Sequence, residues 1–204
     1  MEIVLASGNR GKLGEIEKIL EGFPVTLRSM AEFDGIPDEI VEDGETFLDN
    51  AMIKAKAVYE VVKRPTLSED SGLVVDALDG EPGVRSARYG CDNDEKPDPD
   101  WINALILKKL DGVPQARRGA HYKAVVVLMI DEETILTAEG ECMGEIALAP
   151  RGDNGFGFDP IFELPQYGKT AAEISPHEKN AVSHRGLALE KLKAKLLKYM
   201  DIEA

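Results

Sequence analysis

Between a short apolar run, Ile3-Val4-Leu5-Ala6, and a stretch in which Leu13, Ile16, Ile19, Leu20 and Phe23 recur at helical spacing, the chain reads Ser7-Gly8-Asn9-Arg10-Gly11-Lys12. A polar glycine turn between a strand and a helix N-terminus exposes backbone N–H groups where the helix dipole favours an anion. Lys12 adds a point charge, and Ser7 and Asn9 add donors. The turn is not a Walker A loop, because Ala6 stands where the first glycine belongs and Leu13 where a Ser or Thr would hold magnesium. Taken alone, a plain strand–helix turn that uses glycine for its geometry explains these residues slightly better.

A second candidate is acidic. Ser68-Glu69-Asp70-Ser71-Gly72 follows Leu67 and precedes Leu73-Val74-Val75. Adjacent acids on an extended backbone point to opposite sides, yet at a strand end both can reach one cleft, where carboxylates coordinate magnesium and take a proton from water. The plainer reading is an acidic turn with Ser71 and Gly72 as its turn residues. Residues 31–50 hold eight acids and no Lys or Arg, and within them Glu42 to Glu45 are placed to complete a metal shell or to form a solvated first helical turn.

Two further segments carry chemistry. Gly155-Phe156-Gly157-Phe158-Asp159-Pro160 sets two aromatics among glycines beside an acid; aromatic faces stack on bases and an Asp reads a base edge. The competing reading has the Phe side chains plugging a sheet end. Lys179, His184 and Arg185 gather cations in an acidic chain, as a polyphosphate nucleotide requires. The three histidines, His121, His177 and His184, lack zinc spacing, and no G-x-S-x-G elbow or Cys/His nucleophile pair occurs.

The elements that must position these residues follow from pattern. The first unit is strand, turn and helix, closed by Gly22 and Pro24, with a second strand near Val25 to Leu27. A helix starting at Thr46-Phe47 buries Phe47, Ala51, Ala55, Val58 and Val62 and ends at Pro65. A strand–turn–strand then runs through Leu67, Leu73–Val75 and Gly80–Gly83. Gly90 to Asp100 reads as a loop or helix start, and Trp101 to Leu110 as a helix. Tyr122 to Ile130 is a nearly continuous apolar strand of the kind buried on both faces. Thr134–Glu139 and Cys142–Leu148 read as two strands joined by a short turn, and Val182 to Met200 as the last helix, whose Lys191, Lys193, Lys195 and Lys198 form a solvated face. The sum is an α/β domain with a mixed central sheet.

Composition narrows the function classes. The chain has 204 residues and a formal charge of −14, which disfavours a general nucleic-acid binder, since counterion release needs clustered cations. Its two cysteines, Cys91 and Cys142, form neither a disulfide framework nor a CxxC pair. No signal-peptide pattern opens the chain, and its longest apolar run, Ala124 to Ile130, is too short for a membrane span. The expectation is a soluble cytoplasmic protein with no membrane or nucleic-acid partner.

Taken in order, the segments resemble the inosine triphosphate pyrophosphatase family, which acts on non-standard purine nucleoside triphosphates. The matching runs are Ser7–Lys12, Glu42-Asp43-Gly44-Glu45-Thr46-Phe47 with Asn50-Ala51, Glu69-Asp70-Ser71-Gly72-Leu73, Pro82 to Tyr89, Gly155–Pro160, and Glu178 to Arg185. They extend from residue 3 to the final helix, so the resemblance covers essentially the whole chain. It implies cleavage of ITP, dITP and XTP to the monophosphate and pyrophosphate with Mg2+, by a homodimer. The implied fold is an elongated mixed sheet flanked by helices, with residues 1–204 as one domain of two lobes and the active-site cleft between them. By matching position, Ser7, Gly8, Asn9, Arg10, Gly11 and Lys12 would hold the triphosphate, and Asp70 would be catalytic base and magnesium ligand. Glu42 would join the metal shell, a role open also to Asp43 and Glu45, and Ser71 would touch the substrate. Phe156, Gly157, Phe158 and Asp159 would receive base and sugar, and Lys179, His184 and Arg185 would fix the purine and its 6-oxo group. Glu69 stands where many members carry Asp.

Overall fold

The computed structural model describes residues 1–91 and 97–201. Part of the Gly90–Asp100 stretch read as a loop or helix start, residues 92–96, lies outside the described residues. The strands are β1 (Glu2–Leu5), β2 (Thr26–Ser29), β3 (Thr66–Val75), β4 (Gly119–Met129), β5 (Ile135–Ile146), β6 (Phe162–Leu164) and β7 (Lys169–Thr170). They form one open sheet in the order β2-β1-β3-β4-β5-β6-β7. It is mixed: β1 pairs parallel with β2 and β3, while β6 pairs antiparallel with β5 and β7. The helices flanking it are α1 (Arg10–Ile19), α2 (Phe47–Val62), α3 (Pro99–Lys109), α4 (Pro176–Val182) and α5 (His184–Tyr199). No described helix is long and apolar enough to cross a membrane.

The chain divides into two compact units, one of Met1–Asp70, Ala124–Gly140 and the segment from His184, the other of Ser71–Lys123 and Glu141–Ser183. In the first unit the sheet is buried on both faces, with the period of two that a pleated strand imposes. Ile3 and Leu5 of β1 and Val126 and Leu128 of β4 pack with Ile16 of α1 and Ala188, Leu189 and Leu192 of α5. The alternate residues turn the other way: Val4 and Ala6 meet Val58 of α2, and Val127 and Met129 meet Ala51, Ala55 and Tyr59. Helix α2 starts at a reciprocal cap in which the Thr46 hydroxyl accepts from the Asp49 N–H and the Asp49 carboxylate accepts from the Thr46 N–H. It ends at Lys63, which takes the left-handed conformation (φ 47°) ahead of Pro65.

The described residues of the second unit form a single apolar cluster. Leu73 and Val75, Ala120 and Tyr122, and Cys142 and Ile146 pack with Ile102 and Ile106 of α3 and with Phe158, Ile161 and Phe162. On β5 the residue between two inward positions, Met143, is 64% exposed.

Two expectations are corrected. Ser68 to Gly72 is not a turn but the middle of β3, because cations on the neighbouring helices, described below, compensate its buried acids. The two strands expected around Gly140 are one, β5. Gly140 is there for close packing: a Cβ would run into the His184 carbonyl and the Ala188 nitrogen of α5. The last helix forms as expected, as α5, and a separate short helix, α4, precedes it, because Ser183 adopts extended backbone (φ −71°, ψ 151°) between them. The lysine face of α5 is exposed at Lys191, Lys195 and Lys198, and Lys191 and Lys195 also donate to the Glu139 and Thr137 carbonyls of β5.

Candidate active site

In the first unit, β3 carries Glu69 and Asp70 side by side, 3% and 7% exposed. A strand sends neighbouring side chains to opposite faces, and the two acids have different partners. Glu69 is met by the Lys12 ammonium of α1 at 3.0 Å and by the Arg185 guanidinium of α5 at 3.1 Å. Arg185, 1% exposed, also pairs with Glu15 of α1. Burial alone would lower the Arg185 pKa, but Glu69 and Glu15 outweigh it and raise it.

Asp70 turns toward α2. Its Oδ2 accepts from Asn50 Nδ2 at 3.2 Å, and its Oδ1 lies 3.4 Å from Lys54 Nζ. Lys54 is shared, because its ammonium makes a 2.5 Å bond to Glu42. Of Glu42, Asp43 and Glu45, the acid that converges with Asp70 on this ammonium is Glu42; Asp43 and Glu45 are exposed. Burial pushes the Asp70 carboxyl above the ordinary aspartate value; Lys54 and Lys12 pull it down, and Glu42 and Glu69 add to the rise. Burial works against the Lys54 charge too, but Asp70 and Glu42 outweigh it and hold the ammonium above the ordinary lysine value. A raised pKa makes a carboxylate a stronger base than an exposed aspartate.

The glycine turn forms the start of α1. The Asn9 side chain caps the helix by accepting from the Lys12 N–H at 3.1 Å, and Ser7 Oγ accepts from the Asn9 N–H at 3.2 Å. No acid lies in the first turn, so the positive end of the dipole is left for an anion. Gly8, Asn9 and Arg10 are exposed, and Ser7, Gly11 and Lys12 half-buried.

In the second unit, Gly155 (φ 77°) and Gly157 (φ 65°) bend the aromatic loop. Asp159, 2% exposed, holds it: Oδ2 accepts from the Phe156 N–H at 2.8 Å and pairs with Lys179 Nζ at 2.6 Å, and Oδ1 lies 3.4 Å from the Tyr122 hydroxyl. A Cβ at Gly155 would collide with that carboxylate. The Lys179 ammonium lies 4.8 Å from the centre of the half-buried Phe156 ring. The two aromatics differ: Phe158 packs in the apolar core beside Tyr122, so the loop offers a ligand the Phe156 ring and backbone groups. Ser71 is half-buried, and His184 is buried at the start of α5.

Lys54, Asn50 and Glu15 belong to this network and were not singled out from the sequence as site residues. The signal was present for α2: Asn50 and Lys54 precede Ala51 and Ala55 by one residue each, which puts an amide and a cation at the border of the buried face, four residues apart.

The Ham1 family model matches residues 3–195. The dITP/XTP pyrophosphatase of Geobacillus kaustophilus is 46% identical over 191 residues, 94% of this chain and 92% of that protein. The protein of the same name from Geobacter sulfurreducens is 46% identical over 191 residues, 94% of each chain. The solved structure of a HAM1 protein from Coxiella burnetii matches with a TM-score of 0.86 at 42% identity, over 97% of this chain and 99% of that one.

Proposed function

The chain belongs to the Ham1 family, and from that premise and the site geometry we propose how it works as a hydrolase of non-standard purine nucleoside triphosphates. The reaction adds water to a phosphorus of the α–β anhydride, breaks the bridging P–O bond and yields the monophosphate and pyrophosphate. The observation that carries this reading is Asp70, a buried carboxylate with a raised pKa, on a strand next to a helix N-terminus that lacks acids.

In this reading Asp70 accepts the proton of the attacking water. The Ser7–Lys12 turn binds phosphate oxygens through backbone N–H groups and the Lys12 charge, and Ser71 touches the substrate. Lys54 orients Asp70 and Glu42 and keeps a positive charge beside the anhydride. Arg185 holds Glu69, and through Glu69 the Lys12 ammonium, in register. The Phe156 ring and the backbone of Gly157 and Phe158 receive the base; Asp159 and Lys179 shape that loop, and His184 joins them in fixing the purine.

The residues present fit a magnesium ion. Glu42 and Asp70 converge on one cation, Lys54, so their oxygens already face a common positive charge. Among the described residues there is no cluster of three or more metal-binding side chains. That agrees with magnesium's habit of taking one or two carboxylates and completing its shell with water and substrate phosphate. When bound, the ion would neutralise phosphate charge and acidify water. A homodimer in the cytoplasm, with residues 1–204 acting as one catalytic domain, completes the proposal; family membership supports it.

The test is pyrophosphate release from ITP, XTP, dITP, GTP, ATP and dTTP with magnesium, beside an Asp70→Asn control. Fast release from the 6-oxopurine set without GTP, lost in the control, is expected. Equal turnover of all six would sink the specificity, and no release from any would sink the reaction.

A further inference from the structure

We propose that Asn103 is a positioning residue for base recognition: from α3, its side-chain amide fixes the Gly157–Phe158 peptide of the aromatic loop. The inference rests on the reading that this loop receives the purine. Asn103 is 2% exposed, and its Nδ2 donates to the Gly157 carbonyl at 3.0 Å. No donor among the described residues reaches its Oδ1.

That imbalance argues for a role beyond packing. A buried amide with half its capacity unused is less stabilising than a leucine of similar volume at a site facing the core. What the amide supplies and a leucine lacks is the one bond to Gly157. The bond also fixes the amide's orientation, since the flipped form would set oxygen against oxygen.

The anchored peptide is the one that needs anchoring. Gly157 has φ 65° and no side chain, so nothing intrinsic stops the adjoining peptide from rotating. The Asp159 carboxylate holds the loop through the Phe156 N–H, and Asn103 holds it through the Gly157 carbonyl. Because a trans peptide points its N–H opposite to its C=O, binding the Gly157 carbonyl to α3 aims the Phe158 N–H away from α3. No acceptor among the described residues meets that N–H. It is a fixed donor of the sort a purine oxo group accepts.

The test separates base from phosphate. Calorimetry on the full chain measures the affinity of IMP and of inorganic tripolyphosphate, which has no base, for the wild type, Asn103→Leu and Asn103→Ser. The expected result is IMP weakened about tenfold in both variants, as for one lost hydrogen bond, with tripolyphosphate affinity unchanged. KM for ITP should rise by a similar factor while kcat stays within about twofold. The serine variant covers the case in which leucine is not accommodated. Unchanged IMP affinity overturns the proposal, as does an equal loss for both ligands, which marks a merely structural role. Wild-type protein that binds IMP but releases no pyrophosphate would refute the proposed reaction and leave the Asn103 comparison readable.

Discussion

Each unit buries one aspartate against one lysine, and the two pairs are built differently. In the second unit Asp159 is saturated, with a 2.6 Å ion pair to Lys179, a backbone N–H at 2.8 Å and a tyrosine hydroxyl nearby. In the first unit Asp70 is undersupplied, with one amide at 3.2 Å and a lysine at 3.4 Å that binds Glu42 more closely. Burial is similar, so burial is not what distinguishes them. Asp159, which holds a loop together, is given every partner it can accept, whereas Asp70 is left short of donors and burial raises its pKa. On the proposed function, the same pair of residue types serves once as a fastener and once as a reagent.

The sharpest way to break this comparison is to remove both charges in turn. Asp70→Asn should lower kcat for ITP by about 10³-fold, within the range for loss of a general base, while the thermal midpoint at pH 7 does not fall. The second half follows from linkage. A carboxyl that binds its proton more tightly folded than unfolded destabilises the native state as pH climbs from the ordinary aspartate range through the raised folded value, and above that value the cost is present in full. The amide escapes that cost. A variant that lost activity only by unfolding would show Asp70 to be a fastener after all.

Asp159→Asn should behave the opposite way. Removing one partner of a buried pair leaves an uncompensated ammonium, at a cost of about 3 kcal/mol or more, visible as a lowered midpoint in urea. Lys179→Met should cost a comparable amount, and the double variant less than the sum, because the two residues form one unit. Additive losses would mean that the 2.6 Å pair contributes little.

What the sequence revealed and hid follows the same division. The strand–turn–helix opening and the apolar face of α2 were legible because local periodicity encodes them. Asp70 was legible only through the order of motifs, since Ser68-Glu69-Asp70-Ser71-Gly72 has the composition of a turn. Its strand conformation depends on Lys54, 16 residues from Asp70, and on Lys12 and Arg185, the latter 116 residues from its partner Glu69. Gly140 misled for a related reason: a glycine kept for the close approach of α5 looks, in one dimension, like a turn. The strands β6 and β7 span three and two residues, too few to show a period. Asn103 gave no signal because an amide on a helix face reads as ordinary until its partner, 54 residues on, is known.

Cys142 gives the smallest effect and the most direct view of the saturated pair. It is buried on β5, and burial pushes its thiol up to about 11; Lys179 pulls it down and Asp159 pushes it up. Because those charges sit 2.6 Å apart, their fields at the sulfur oppose each other. In a Cys91→Ser background at pH 8, the thiolate fraction of Cys142 should be about one in a thousand, and iodoacetamide labelling of the native protein correspondingly slow. Adding Asp159→Asn removes the negative partner, so the Lys179 ammonium alone acts on the thiol, lowers its pKa and speeds labelling. Adding Lys179→Met as well should slow it again. Faster labelling that persists in the triple variant would come from a loosened fold rather than from charge. Reversal would establish that the Asp159–Lys179 pair is held tightly enough to cancel its own field, which the shared lysine beside Asp70 does not do.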